Sequence, residues 1–287
     1  MGEIVSASAN FTYFFEPLHS LRKSLVPETQ VAPVKQMVTE YIRSLLGCET
    51  QGIKILSRDK FITKKSRNVF SCSHESSVVI KTIRMTGEHV REFLRNINFS
   101  DRNSEVKIIH LVRDPRAVLA SMYRQPKAWI PYLKTGNGTV LCDNMIRNKI
   151  IFQEMIKDGI LTSKNFAEVN YDLWMEDTWG TIVQIYQFLQ IPLTMDIVDR
   201  VQAHFSDEVA RKSYLSTFQG SDHDKDQWRT QLSQDQQRYI EKKCGILIEN
   251  ETENYEEVST DEIEVTTDKS LINTILYVQS KNFTYQD

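Results

Sequence analysis

Apolar residues recur along this chain at two spacings, and the alternation between them predicts a fold class. The run VKIIHLV at 106–112 is nearly continuous and rich in β-branched residues, the pattern of a strand covered on both faces. Shorter strands are predicted at VVI, 78–80, and FAEVN, 166–170. The aromatic run FTYFFEPLHSL, 11–21, reads as a short strand turning into a loop at Pro17, because the residue before a proline is held away from helical geometry.

Between these segments the period becomes helical. Val34, Met37, Val38, Tyr41 and Leu45 share one helical face, with Pro33 at the start and Gly47 just past the end. Helices are also predicted over 87–97, from Pro115 to about Tyr123, and over 140–157, where Leu141, Met145, Phe152 and Ile156 face inward and Gly159 follows. Ile182, Ile185, Tyr186 and Leu189 mark another helix, closed by Pro192, and Ser233 with Gln236 reads as a capping box for a last one. Strands alternating with helices predict an α/β domain, a parallel central sheet flanked by helices, with ligands at the carboxyl ends of its strands. This domain is expected to span 1–249. From Asn250 to Asp287 the pattern fails, and the segment reads as an acidic, mostly disordered tail.

Composition supports one folded domain: 287 residues, 40% hydrophobic and 25% charged, suffice for a substantial core. No stretch approaches the roughly 18 apolar residues of a membrane span, and the opening MGEIVSASAN lacks the layout of a signal peptide. Five Asn-x-Ser/Thr sequons, at Asn10, Asn98, Asn137, Asn250 and Asn282, nonetheless lean towards a secretory lumen. Cys48, Cys72, Cys142 and Cys244 form no CxxC pair, so a zinc knuckle is not expected; one or two disulfides are, with the pairing open. No metal and no nucleic-acid partner are expected. Nine acids between Glu249 and Asp268 have no Lys or Arg among them, and setting them aside turns the net charge of −3 into +6. Such a body suits anionic ligands.

The chemistry concentrates in IIHLVRDPRAVLAS, 108–121. Arg113 sits where a buried strand ends, so its guanidinium reaches the carboxyl edge of the sheet, where a planar fork binds phosphate through two parallel hydrogen bonds. Ser121, two turns along the next helix, could add a hydroxyl to the same anion. The plainer alternative is a loop ion pair of Arg113 with Asp114, the latter capping the helix.

This string resembles the 3′-phosphate-binding motif of sulfotransferases that use 3′-phosphoadenosine 5′-phosphosulfate. The resemblance is closest to the carbohydrate sulfotransferases of the Golgi, which sulfate the 6-hydroxyl of N-acetylglucosamine, galactose or N-acetylgalactosamine. FTYFFEPLHSL, SSVVIKTIRM, NYDLWMED and QWRTQLS match further segments of that family in order, so the resemblance runs from Met1 to about Ile248. It implies that Arg113 and Ser121 bind the donor's 3′-phosphate and that Glu16 is the general base for the sugar hydroxyl. Lys81 would face the sulfuryl group and Arg84 the acceptor, while Trp228 and Arg229 would close over the nucleotide. Each has a structural alternative: a capping carboxylate for Glu16, an ion pair for Lys81 and Arg84, ordinary packing for Trp228. His110 reads as a satisfied core histidine, and Tyr171 as a core anchor near the donor site. Loops around 124–140 and 204–227 are expected to set the acceptor.

Two departures stand out. The family's Tyr-Glu-Asp-Leu segment is one residue shorter here, Tyr171-Asp172-Leu173, which leaves open the acid that braces the donor-site arginine. The Arg-Thr-Gly-Ser-Ser loop that holds the 5′-phosphosulfate in the family does not occur in these residues. MGEIVSASAN resembles the stretch just after that loop. The expectation is therefore an N-terminally incomplete chain, weakly active or inactive by itself. Its parent would be a single-pass Golgi enzyme with the anchor, first strand and loop upstream and the domain on the lumenal side. The alternative is a non-catalytic glycan- or nucleotide-binding pseudoenzyme. A P-loop kinase is disfavoured, since no GxxxxGK[ST] occurs.

Overall fold

A computed structural model of the chain describes residues 2–7, 11–21, 32–73, 77–96, 104–123, 139–205, 226–248 and 274–280. The five sequons, and most of the two loops expected to set the acceptor, lie outside the described residues.

Five strands form one sheet in the order β1-β2-β5-β3-β4. They are β1, Phe11–Phe15; β2, Ser77–Thr82; β3, Ser104–Val112; β4, Phe166–Asn170; and β5, Thr274–Ser280. β1 runs parallel to β2 with Phe15 opposite Lys81, and β3 parallel to β4 with Val112 opposite Asn170. β5 is antiparallel to both neighbours, with Val278 opposite Val78 on one side and Val106 on the other. The four other strands therefore share one direction and present their carboxyl ends along one edge.

β5 places seven residues of the expected disordered tail in the sheet, and adds one antiparallel strand to the parallel central sheet that was expected. Every acid of the C-terminal segment except the terminal Asp287 precedes Lys269, whereas LINTILYVQS at 271–280 is apolar and β-branched. Reading 250–287 as one averaged segment hid a run whose backbone groups can pair on both sides in mid-sheet.

The helices arise where the apolar period foretold them: α2, Ala32–Leu46; α5, Gly87–Asn96; α6, Pro115–Tyr123; α7, Thr139–Lys157; α9, Thr178–Leu189; and α12, Gln234–Ile248. Ser233 and Gln236 complete the capping box, the Ser233 N–H donating to Gln236 Oε1 at 2.8 Å and the Gln236 N–H to Ser233 Oγ at 3.2 Å. Short helices were missed: α3, Thr50–Ser57; α4, Lys60–Lys65; α8, Tyr171–Glu176; and α11, Trp228–Gln231, along with the longer α10, Met195–Phe205. Too few turns repeat in most of these for a period to stand out. A single turn, α1, Gly2–Val5, packs beneath β1 and β2: a Cβ on Gly2 would stand 2.8 Å from Lys81 Cβ and from the Tyr13 hydroxyl.

Two cores result. The larger surrounds the sheet and includes Phe14, Val79, Ile80, Ile108 and Ile109. The smaller lies between α6, α7, α11 and α12, with Leu119, Met145, Trp228, Ile240 and Leu247 buried in it. Cys142 of α7 and Cys244 of α12 form a disulfide across the smaller core, and Cys48 pairs with Cys72 after α2.

Candidate functional site

Two charged constellations stand on the edge where the parallel strands end. The first is built on Glu16, the residue after β1. It is 4% exposed and has a positive φ of 47°, a left-handed conformation unfavourable for a residue with a Cβ. The turn is fixed by its own N–H, which donates to Lys81 O at 2.7 Å. This directs the carboxylate back over the end of β2. There it accepts from Lys81 Nζ, from the Ile83 N–H at 3.1 and 3.2 Å, and from Arg84 Nη1 at 2.6 Å. Lys81 and Arg84 keep about a quarter of their side chains exposed, at 22% and 27%. Three residues expected to act together are thus brought together, two cations on one buried anion.

The second constellation is built on Arg113 at the end of β3. Its guanidinium stacks 4.2 Å from the centroid of the Tyr171 ring, and its Nε lies 3.8 Å from Asp172 Oδ1. Tyr171 and Asp172 open α8 directly after β4, where Asn170 caps the helix by accepting from the Asp172 N–H at 2.8 Å. Asp172 is therefore the acid beside the arginine, which the shortened segment had left open. Asp114 takes a different partner. It accepts from the Arg116 N–H at 2.7 Å and clasps the Arg116 guanidinium through both oxygens. The proposed Arg113–Asp114 loop pair is thus replaced by two separate pairs, and Arg113 remains 21% exposed at the strand end.

Arg116 is the charged residue beside the site whose place sequence reasoning missed. Besides Asp114 it binds Glu241 of α12 at 2.9 Å and stacks 4.7 Å from the centroid of the Trp228 ring. Burial opposes its charge, but the two carboxylates outweigh burial and push its pKa up. The second arginine in RDPR was the available signal. Trp228 is 5% exposed, and the Arg229 guanidinium lies 4.5 Å from its centroid, tethered to Asp226 and 59% exposed. The tryptophan is a packed anchor between arginines, and Arg229 is the part of that pair that reaches solvent. Ser121 lies half-buried on α6, the helix that starts beside Arg113. His110 is in the core as expected, 1% exposed, stacked 4.5 Å from Phe152 with Nδ1 3.0 Å from Glu168, but it is only half satisfied, since its buried Nε2 has no hydrogen-bond partner among the described residues.

A guanidinium braced by ring and carboxylate at a strand's carboxyl end is a group suited to an anion, and Arg229 offers a second, solvent-facing guanidinium over a buried tryptophan. Among the described residues no group of His, Cys, Asp or Glu could hold a metal ion.

Residues 29–256 match the family model described as Sulfotransferase domain. The chain is 22% identical to carbohydrate sulfotransferase 1 of Mus musculus and 26% identical to that of Homo sapiens, each over 316 residues, covering 86% of this chain and 74% of the relative. It is also 28% identical to sulfotransferase 2A1 of Homo sapiens over 126 residues, 40% of this chain and 42% of that protein.

Proposed function

Since the chain belongs to the sulfotransferase domain family, we propose that it serves transfer of a sulfuryl group from 3′-phosphoadenosine 5′-phosphosulfate to the 6-hydroxyl of a glycan sugar. That sugar would be N-acetylglucosamine, galactose or N-acetylgalactosamine. The donor supplies an activated sulfuryl group on a phosphate leaving group. Everything else is positioning and charge, as in phosphoryl transfer. Arg113, with Ser121, holds the 3′-phosphate; Tyr171 and Asp172 keep the guanidinium plane fixed; Arg229 closes the nucleotide side over Trp228.

Glu16 is the base. Its oxygens are taken by Lys81, Arg84 and the Ile83 N–H, so it accepts a hydroxyl proton only once a cation lets go. Lys81 is suited to this, since an incoming sulfuryl group offers the ammonium another anion. In that arrangement Lys81 stabilises charge on the peripheral oxygens and Arg84 orients the acceptor. The proton leaves the sugar for Glu16 as the oxygen–sulfur bond forms and the bond from sulfur to phosphate breaks.

The supporting observation is the pair of constellations, Glu16 with two cations and Arg113 with its braces, on one edge of one sheet. The two disulfides and the +6 body support a secretory lumen and an anionic donor, in keeping with the Golgi. Among the described residues no helix is long and apolar enough to cross a membrane. With no Arg-Thr-Gly-Ser-Ser loop in its sequence, this chain by itself is expected to turn over weakly or not at all. Binding is therefore the informative test. Adenosine 3′,5′-bisphosphate titrated calorimetrically into the folded chain should bind, and Arg113→Ala should weaken it about a hundredfold, the order expected for losing a bidentate charged contact. Equal affinity in both proteins sinks the reading.

A further inference from the structure

Phe61 is 43% exposed on α4, and it touches the two residues that bracket the general base. Its ring centroid lies 6.3 Å from Phe15 and 6.0 Å from His19, immediately before and three positions after Glu16. The placement is enforced. Asp59 caps α4 by accepting from the Ile62 N–H at 3.3 Å and bonds His19 Nδ1 at 2.8 Å, while Ser66, just past the helix, accepts from the Phe15 N–H at 3.0 Å. Ile62 is buried beneath, and Phe61 and Lys65, one turn apart, share the face that meets Phe15. Lys65 Nζ stands 5.1 Å from the Phe15 centroid and 5.7 Å from that of Phe61; Lys81 Nζ lies 5.2 Å from Phe15. The buried Phe15 ring thus links Lys81, one of the Glu16 cations, to Lys65 and the exposed Phe61 on α4.

The charge continues. Between residues 54 and 67 the sequence holds Lys54, Arg58, Lys60, Lys64, Lys65 and Arg67 against one acid, Asp59, which is committed to His19 and the helix start. Lys60 and Lys64 are exposed. A shallow, open and largely apolar groove of about 530 Å³ along α3 is lined by Thr50, Gln51, Lys54, Ile55 and Arg58. An isolated basic helix is usually a solvated face. This one begins beside the base and presents a flat apolar ring.

We propose that α3 and α4 form the acceptor platform and that the acceptor is an anionic glycan. One sugar ring stacks its C–H face on Phe61, placing its hydroxyl towards Glu16, and the chain's acidic groups run across Lys60 and Lys64 towards the Lys54–Arg58 groove. Aromatic faces take such rings because polarised C–H bonds meet the negative face of the ring. The lysines add charge complementarity that neutral sugars would not use. The proposal rests on the reading of Glu16 as the base.

The test is calorimetric titration of the folded chain with two probes of equal length, chondroitin hexasaccharide, which carries uronic acids, and the neutral chitohexaose. Chondroitin hexasaccharide should bind more tightly, and raising salt from 0.05 to 0.5 M, through the range where exposed charges become screened, should erase the difference. Phe61→Ala should weaken both probes about tenfold, a step of one good contact, and Phe61→Trp should restore them. Lys60→Gln combined with Lys64→Gln should weaken only the anionic probe. If Phe61→Ala binds chondroitin hexasaccharide as wild type does, or if the neutral probe responds equally to the lysine changes, the platform is wrong. Adenosine 3′,5′-bisphosphate serves as the control. Its binding should be the same in every variant. Loss of its Arg113 dependence with glycan binding still tied to Phe61 would overturn the donor reading and leave a glycan-binding surface.

Discussion

Arg84 Nη1 lies 2.6 Å from Glu16 Oε2, and Lys81 donates to the other oxygen of the same carboxylate. The triad carries one net positive charge at the carboxyl edge of the sheet. It is arranged so that the anion is buried and the cations are not, at 5% against 22% and 27% side-chain exposure. Removing the anion should therefore hurt more than removing either cation.

Glu16→Gln keeps the shape and an oxygen for the Ile83 N–H but leaves two cations facing each other. It should lower the unfolding free energy by about 3 kcal/mol, and Lys81→Met by about 1 kcal/mol, because Arg84 still pairs the anion. Urea denaturation measures both. A loss below about 0.5 kcal/mol for Glu16→Gln would mean the triad behaves like a surface pair.

Arg113→Lys keeps the charge and loses the fork, so affinity for adenosine 3′,5′-bisphosphate should fall about tenfold or more. Asp172→Asn should cost less, about threefold, since the Tyr171 ring still holds the guanidinium plane 4.2 Å away. Tyr171→Phe keeps the ring face and should change little. Calorimetry that ranks Asp172→Asn above Arg113→Lys would mean that the carboxylate, not the fork, organises the site.

The two disulfides close loops of different length, with sequence separations of 24 and 102. On loop entropy, removing Cys48–Cys72 by serine substitution should cost about 3.5 kcal/mol and removing Cys142–Cys244 about 4.7 kcal/mol. Only the second should also weaken bisphosphate binding, because α7 and α12 pack against α6, which carries Ser121. Thermal melts and calorimetry on both double-serine variants check the order and the split.

His89 is 5% exposed, and its Nδ1 accepts from the Thr86 N–H at 3.2 Å. Burial lowers its pKa to about 4, with Lys35 nearby acting in the same direction. The unfolded chain binds this proton below about pH 6.5 and the folded chain only below about 4, so this contribution is present above pH 6.5 and is lost as pH falls through that window. The swing is roughly 3 kcal/mol. His89→Gln, which retains an acceptor for Thr86, should flatten stability between pH 6.5 and 4. An unchanged slope would assign the acid sensitivity elsewhere.

Much of this was legible along the chain. VKIIHLV gave its strand, Ser233 and Gln236 their cap, and Arg113 its place at a strand end, since each depends on neighbours within a few residues. Asp114 was read correctly as a helix cap, but its choice of Arg116 over Arg113 was not legible. All three lie within four residues, and the outcome turns on Tyr171 and Asp172 arriving from β4. Lys107 shows the same limit: a lysine inside an apolar run reads as a flaw, yet its ammonium bonds Phe188 O at 2.7 Å at the end of α9.

The sequence by itself determined β1 to β4, the longer periodic helices and the family's ordered motifs, because periodicity and caps are local properties of a chain. The tertiary structure alone decided that Glu16 lies under two cations, that Phe61 stands beside the base, which cysteines pair, and that Thr274–Ser280 enters the sheet between β2 and β3. Those are contacts between residues tens to hundreds of positions apart. They are selected by which surfaces meet once the cores have closed, and no spacing along the chain encodes that.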